Sequence, residues 1–360
     1  MKIYKAAIIG LGPSGLAVNK IIYGDNSNEV IAFENININN RDNFFGFWLT
    51  NWMKPFENIV EKKWNKWTIG DENTIITHTS NEKPYCVISF KKWKNYCLET
   101  KNKLNIVNKQ VVQYFPIKDY FKIITSDNKE YYAEKIYDSR SIKEKKGELI
   151  QHFLGIKIHV EENTFDDKKL TLMHFTQEND ILHFIYILPF TRNKALVEST
   201  VFSKQSFDDS WYRDKINSYL KLNNVTHYEE DSMEKGIIPM FFANKIRSKN
   251  SNIFNIGIRG GACKPSTGYA FSFLIKQIQL LKYSKKNSVN IHNFLERKMD
   301  KIFINYLKNN NEDGQSFINL ASNLSGNEFQ SFMMGNSNLL TKFKIIKSMP
   351  KLPFIKELFK

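Results

Sequence analysis

Residues Ile8-Ile9-Gly10-Leu11-Gly12-Pro13-Ser14-Gly15-Leu16 constrain this chain more than any other stretch. The apolar run from Ile3 to Ile9 has the length of a buried parallel strand. Gly10, Gly12 and Gly15 carry the G-x-G-x-x-G spacing, and Leu16, Ala17, Val18, Ile21 and Ile22 continue it as a helix. The three glycines serve different ends. Gly10 permits the tight turn, Gly12 lets a pyrophosphate approach the backbone, and Gly15 lets helix and strand pack closely. A helix starting there turns unpaired N–H groups and a partial positive charge toward phosphate. A second strand, Val30 to Phe33, ends in Glu34, where an acidic residue meets a ribose hydroxyl pair. The glycines alone are a weak signal. Framed by two strands and a helix, they predict a site for a dinucleotide, FAD or NAD(P).

With 360 residues the chain can bury a large core and divide into two or three subdomains. Cys86, Cys97 and Cys263 are odd in number and contain no CxxC pair. That argues against a disulfide framework or a structural metal and fits a reducing cytoplasm. The basic, apolar N-terminus resembles a secretory signal, but the glycine turn occupies the place of the cleavage site. No run reaches the ~18 apolar residues of a membrane span. The formal charge of +15 comes from dispersed lysines in a chain rich in Lys, Asn and Ile together, a composition that AT-rich coding produces. No nucleic-acid module accompanies it, so an anionic membrane surface is the better partner.

Along the chain, a polar loop from Asn35 to Asn40 leads to Arg41-Asp42 and an aromatic-dense segment. Residues 73–90 alternate like strands, and Lys91 to Leu98 has helical spacing. Val107 to Phe115 and Tyr120 to Thr125 predict a hairpin turning at Lys118-Asp119, followed by a strand from Tyr131 to Tyr137. Four more strands follow, beginning at Gln151, Leu170, Ile181 and Ala195. Their short polar connections predict an antiparallel sheet inserted into the nucleotide-binding domain. Trp211 to Leu222 is a helix, and Glu234 to Met240 turns the chain back. The expected organisation is a first dinucleotide-binding part over 1–150 with an insertion near 50–90, and a substrate sheet over 151–235. A second dinucleotide-binding part then covers 236–285, and helices cover 286–360.

A second glycine-rich segment runs from Ile253 through Gly257, Gly260, Gly261 and Ala262 to Lys264-Pro265-Ser266-Thr267-Gly268-Tyr269. A strand ending in glycines, with Pro265 and Ser266 opening a helix to about Leu281, predicts a second anion site. At the C-terminus, Leu339, Phe343 and Ile346 recur at helical spacing among lysines. Pro350 and Pro353 end that helix, and Phe354, Ile355, Leu358 and Phe359 follow, a basic amphipathic pattern suited either to a membrane surface or to the protein's own core.

Six ordered blocks resemble the bacterial lycopene cyclase family. They are Tyr137-Asp138-Ser139-Arg140, Gln151 to Gly155, Ile185 to Phe190, Ala195 to Thr200, Gly236 to Met240 and Lys264 to Tyr269. The resemblance implies a Rossmann-type FAD domain of the aromatic-hydroxylase-like fold carrying an inserted sheet. It implies reduced FAD with NAD(P)H as electron donor, and ring closure at an acyclic carotenoid end, lycopene, without net redox change. By similarity, Gly10, Gly12, Pro13, Ser14, Gly15 and Glu34 hold the ADP half. Arg140, Gly257, Gly260, Gly261, Ala262, Pro265, Ser266, Thr267 and Gly268 serve the pyrophosphate and flavin side. No metal is implied, and the expected location is the cytoplasmic face of the membrane, peripherally bound.

The family's acidic motif aligns with Glu198. Protonating a terminal alkene makes a tertiary carbocation, which needs negative charge and aromatic faces in a dry pocket. In the apolar setting Leu196-Val197-Glu198, desolvation should raise the carboxyl pKa and suit acid/base work. Phe184, Tyr186 and Tyr269 are the candidate aromatic faces. Two departures stand out: His174 follows Met173 where the family usually has Asp, and Val197 precedes Glu198 where the family often has a second carboxylate. Alternatives are an FAD-dependent monooxygenase or isoprenoid reductase of the same superfamily, and a prenyl-lipid binder without catalysis. Asn255-Ile256-Gly257 lacks the Gly-Asp that hydroxylases of this fold carry, which argues against the first.

Overall fold

The computed structural model describes residues 1–35, 43–142, 146–241, 250–310 and 313–350. The loop residues Arg41 and Asp42, and the terminal residues Pro353, Phe354, Ile355, Leu358 and Phe359, lie outside these. Strand β1 (Ala6–Ile9) is buried throughout, and helix α1 (Pro13–Ala17) follows the glycine turn and runs on as a π-helical stretch, Val18–Tyr23. Strand β2 (Val30–Phe33) lies parallel to β1. The strands Ile253–Asn255, Ile136–Asp138, β1, β2 and Asn105–Val107 form, in that order, a parallel sheet. All four residues of β1 and of β2 are buried, as expected of a sheet covered on both faces. One cover is a small sheet holding the predicted hairpin, now bounded as Val111–Ile117 and Tyr120–Thr125, with Lys118 at φ 50° in its turn.

Two local expectations are corrected. Tyr131 to Tyr137 is not one strand: Glu130–Ala133 joins the small sheet, and Ile136–Asp138 joins the parallel one. The polar pair Glu134-Lys135 marks the change of sheet. The helix expected from Pro265 begins only at Phe271. Residues 264–269 form a closed turn, with Lys264 N–H donating to Tyr269 O at 2.8 Å and Gly268 N–H donating to Lys264 O at 2.9 Å. Gly268 sits at φ 67°, a left-handed conformation that ends any helix there.

The inserted sheet is larger than the four strands expected. Strands β3 (Ile150–His159), β4 (Lys169–Thr176), β5 (Leu182–Pro189) and β6 (Lys194–Ser203) are joined by others at both edges. Lys66–Gly70 pairs parallel with β4, and Ile75–Thr79 pairs beyond it. After helix α2 (Asp209–Leu222), strand β7 (Glu229–Pro239) pairs with β3 at the other edge. Its charged start, Glu229-Glu230-Asp231, disguises a strand in the sequence, and an edge strand tolerates such charge. One face of this sheet buries Leu154, Ile156, Ile185 and Val197 against Tyr212, Ile216 and Leu220 of α2. The opposite face turns toward the half that holds the parallel sheet. Helix α3 (Phe271–Tyr283) packs beside α1, and helices α4 (Phe294–Asn309), Gln315–Asn323, Gly326–Met333 and α5 (Leu339–Ser348) close the C-terminal side.

Candidate active site

A single cleft of about 1700 Å³ runs from the glycine turn to the free face of the large sheet. That exceeds the usual few hundred to 1,000 Å³ of a small-ligand pocket and leaves space for a dinucleotide and a second molecule. Gly10, Gly12, Pro13, Ser14 and Glu34 line one end. A methyl on Gly12 would meet no atom within 4 Å, so this backbone is open to a ligand. Glu34 accepts the Leu11 N–H at 2.6 Å and so fixes the turn. Arg140 pairs through its guanidinium with the fully buried Asp138, at 2.7 Å, and Tyr114 OH and Arg259 converge on the same carboxylate. Gly257, at φ 66°, brings the second segment close: a side chain there would strike Ser14 Oγ at 2.7 Å. The Thr267 hydroxyl is buried in the cleft wall with no hydrogen-bond partner among the described residues.

The other end is built by strand register. Tyr186, Glu198, Gly155 and Glu234 stand opposite one another on β5, β6, β3 and β7, so the side chains of Tyr186, Glu198 and Glu234 leave the sheet on one face. Glu198 is buried, and the Thr200 hydroxyl donates to its Oε1 at 2.5 Å. Burial pushes its pKa up to about 7, against the opposing pull of that hydrogen bond. Tyr186 and Tyr85 share a hydrogen bond at 3.1 Å, and burial raises both phenols, keeping them neutral. Gly46 makes room for them, since a methyl there would lie 2.1 Å from Tyr85 Oη. Phe184, Leu172, Met173, Leu188 and Leu196 complete an apolar wall, and Tyr269, held by Trp48 N–H and Ser272, closes it.

The lycopene cyclase protein family matches residues 6–358. The chain belongs to the lycopene cyclase family. No curated protein matches it in sequence. Among solved structures it is similar to a geranylgeranyl bacteriochlorophyll reductase-like protein from Thermoplasma acidophilum, at 12% identity and TM-score 0.64, covering 100% of this chain and 99% of that one. Klebsiella pneumoniae HpxO complexed with FAD and uric acid matches at 11% identity and TM-score 0.61, over 94% and 97% of the two chains. Halogenase PltM matches at 9% identity and TM-score 0.57, over 95% and 82%. The fold is thus the aromatic-hydroxylase-like flavoprotein fold.

Within this lycopene cyclase family member, the cleft gathers most of the residues picked from sequence, but not all. Gly15 lies beneath the turn, where a methyl would stand 2.0 Å from Gly10 O, so its role is packing. Gly260, Gly261 and Pro265 line a separate cavity of about 40 Å³ with Cys263 and His292. Ala262 N–H donates to Gly257 O at 3.0 Å, shaping the segment from behind. Ser266 turns inward and donates to Asp300 at 2.6 Å. His174 does not line the cleft: its ring packs against Tyr219 of α2 at 5.2 Å, on the opposite face. A bulge between Thr171 and Met173 alters the alternation of β4, so Leu172 and Met173 line the cleft instead. Sequence reading gave no site role to Gly46, Tyr85, Arg259 or Glu234, although Pro84-Tyr85 belongs to a further block that is similar to the family. Glu234 lies in the middle of the charged edge strand β7, where its burial is not legible from the sequence.

Proposed function

We propose that this chain is a lycopene β-cyclase that uses reduced FAD, with NAD(P)H as reductant, to close acyclic carotenoid ends to β-rings without net redox change. The observation that carries this reading is Glu198: a buried carboxyl with a near-neutral pKa on an apolar cleft floor, in a member of this family. The open backbone at Gly12, the turn held by Glu34 and the unpartnered Thr267 hydroxyl fit FAD along the cleft. Gly10, Gly12, Pro13, Ser14 and Glu34 would hold its ADP half, and Arg140, Gly257, Thr267 and Gly268 the remainder. Gly260, Gly261, Ala262, Pro265 and Ser266 would act by shaping that second segment. The solved HpxO and CtdE structures, complexed with FAD, support the choice of cofactor.

When bound, reduced flavin supplies negative charge beside a developing cation. The chain's own residues do the rest. Protonated Glu198 lies where a terminal alkene would enter, and transfer of its proton leaves a tertiary carbocation that the neighbouring double bond attacks. Tyr186, Tyr85, Phe184 and Tyr269 present faces to that cation and keep water out. The exposed apolar residues of α5 support a peripheral seat on the cytoplasmic face of a membrane, where the carotenoid dissolves.

The test is expression of the wild type and of Glu198→Gln in a lycopene-accumulating host, with pigments separated by chromatography. Wild type should yield cyclic carotenes, and Glu198→Gln should cut the rate by ~10²–10³ while keeping flavin and solubility. In liposomes the wild-type rate should fall as pH rises through about 7, because the proton donor is then ionised. Cyclic product at undiminished yield from the variant would remove Glu198 from the mechanism. A hydrogenated acyclic product from the wild type would mark an isoprenoid reductase instead.

A further inference from the structure

Glu198 has a neighbour to which the chemistry of protonation gives no part. Glu234, on β7, is buried and lines the same cleft. Both glutamates pair with Gly155, one from each side, in the antiparallel ladders β3–β6 and β3–β7. Two strands apart, their side chains would ordinarily be separated by that of the residue between. Here that residue has none. A methyl built on Gly155 would lie 3.1 Å from Leu196 Cδ1 and 3.3 Å from both Glu198 Cβ and Glu234 Cγ, so the gap opens onto both glutamate side chains with the Leu196 methyl beside them. The same register row continues to Tyr186, whose phenol is raised in pKa partly by both carboxylates.

The two acids have different surroundings. Glu234 Oε2 accepts the Phe44 backbone N–H at 2.7 Å, a bond that favours an ionised carboxylate. Glu198 is buried and accepts from a neutral hydroxyl. We propose that Glu198 and Glu234 form a proton-sharing carboxyl pair across the Gly155 gap, with Glu198 as the acid and Glu234 as the base of ring closure.

This rests on the cyclase reading, and it balances the reaction within the chain. Glu198 gives its proton to the terminal alkene, whose π electrons form the new C–H bond. The adjacent double bond supplies the pair for the ring C–C bond. Glu234 takes the ring proton as that C–H pair becomes the ring double bond. The proton then returns to Glu198 across the gap, and nothing is oxidised or reduced. Two acids acting as one unit also account for a family member that has Val197 beside Glu198 and His174 in place of an expected acid.

The experiment has two arms on the full-length protein. Glu198→Gln, Glu234→Gln and the double variant are scored for cyclic carotenes in the lycopene-accumulating host. Glu234→Gln should lose at least ~10-fold, and the double variant should be little worse than Glu198→Gln, because members of one unit are not additive. Glu234→Asp should recover part of the activity that Glu234→Gln lacks, which a purely structural role would not predict. In the second arm, the protonated-carboxyl infrared band that Glu198→Gln removes is titrated. Removing the neighbouring charge should lower its midpoint by about a unit or more in Glu234→Gln. Wild-type cyclisation by Glu234→Gln, or an unmoved midpoint, overturns the pair. If the wild type itself leaves lycopene acyclic, the cyclase reading falls, and the infrared arm alone decides whether the two carboxyls are coupled.

Discussion

Gly12 and Gly15 stand three residues apart and are needed for opposite reasons. A methyl at Gly12 would meet no atom within 4 Å beyond its chain neighbours, whereas a methyl at Gly15 would lie 2.0 Å from Gly10 O and 3.0 Å from Ile8 Cγ2. The first position is clear of protein atoms, as the proposed flavin site requires, and the second is closed by the fold. Gly12→Val should therefore yield soluble protein with an unchanged melting temperature but little bound flavin. Gly15→Val should lose soluble protein or melt well below wild type, since overpacking of this kind costs about 1–3 kcal/mol or more. Flavin absorbance per folded protein, read beside thermal melts, separates the two. Full flavin in Gly12→Val would show that the dinucleotide lies elsewhere. His174 is the opposite case, a residue singled out by its oddity that the fold has turned away from the cleft.

At the scale of elements, the sheet uses its two faces for different work. The face under α2 buries two histidines in hydrogen-bonded chains. His152 bonds Ser203 Oγ at 2.8 Å and Tyr212 Oη at 2.6 Å, and His183 bonds Ser199 Oγ at 2.8 Å and Thr176 Oγ1 at 2.5 Å. Burial pushes His152 down to about 4 and His183 to about 3, with Lys215 of α2 adding to the latter. Both are held neutral in the fold but protonate near 6.5 when unfolded. Their stabilising contribution is therefore complete above about 6.5 and is lost as pH falls from there toward 4 and 3. Each should cost about 1.4 kcal/mol per pH unit across that window. Melting temperatures measured from pH 7.5 to 4.5 should drop, and should drop less steeply in a His152→Gln/His183→Gln double variant. An equal slope in both proteins would assign the acid sensitivity to other groups.

For the whole molecule, the C-terminal helices are tied to the second glycine-rich segment by buried charge. Lys264 meets Asp300 of α4 at 2.5 Å, and Lys342 of α5 meets Glu296 of α4 at 2.9 Å. With this side of α5 anchored, Leu339, Leu340, Phe343 and Ile346 are left exposed on the other, Leu340 at 76% and Phe343 at 67%. Among the described residues no helix is long and apolar enough to cross a membrane, and the membrane contact proposed for this patch is tested directly. Removing α5 would take from buried Glu296 its nearer ammonium and leave it Lys264 at 3.8 Å, so point changes make the cleaner test. Leu340→Glu/Phe343→Glu should weaken sedimentation with anionic liposomes by more than ~10-fold, because each buried side chain contributes about 1.5–3 kcal/mol. Melting temperature and flavin content should be unchanged. Equal binding by the variant would remove α5 from the membrane contact.

The sequence by itself determined the elements whose signals are local. The glycine turn, the βαβ unit ending in Glu34, the hairpin at Lys118 and the alternation of β3, β5 and β6 are each legible because turn chemistry and side-chain period act within a few residues. The family-like blocks added Glu198, and the structure buries it in the cleft. Tertiary structure decided what depends on pairing between distant segments. A bulge in β4 exchanged His174 for Leu172 and Met173, and a left-handed Gly268 moved the start of α3 to Phe271. Strand register brought Glu234 to the same gap as Glu198, 36 positions earlier in the chain. Register is fixed by which faces are buried and which strands adjoin, and a strand read alone carries neither.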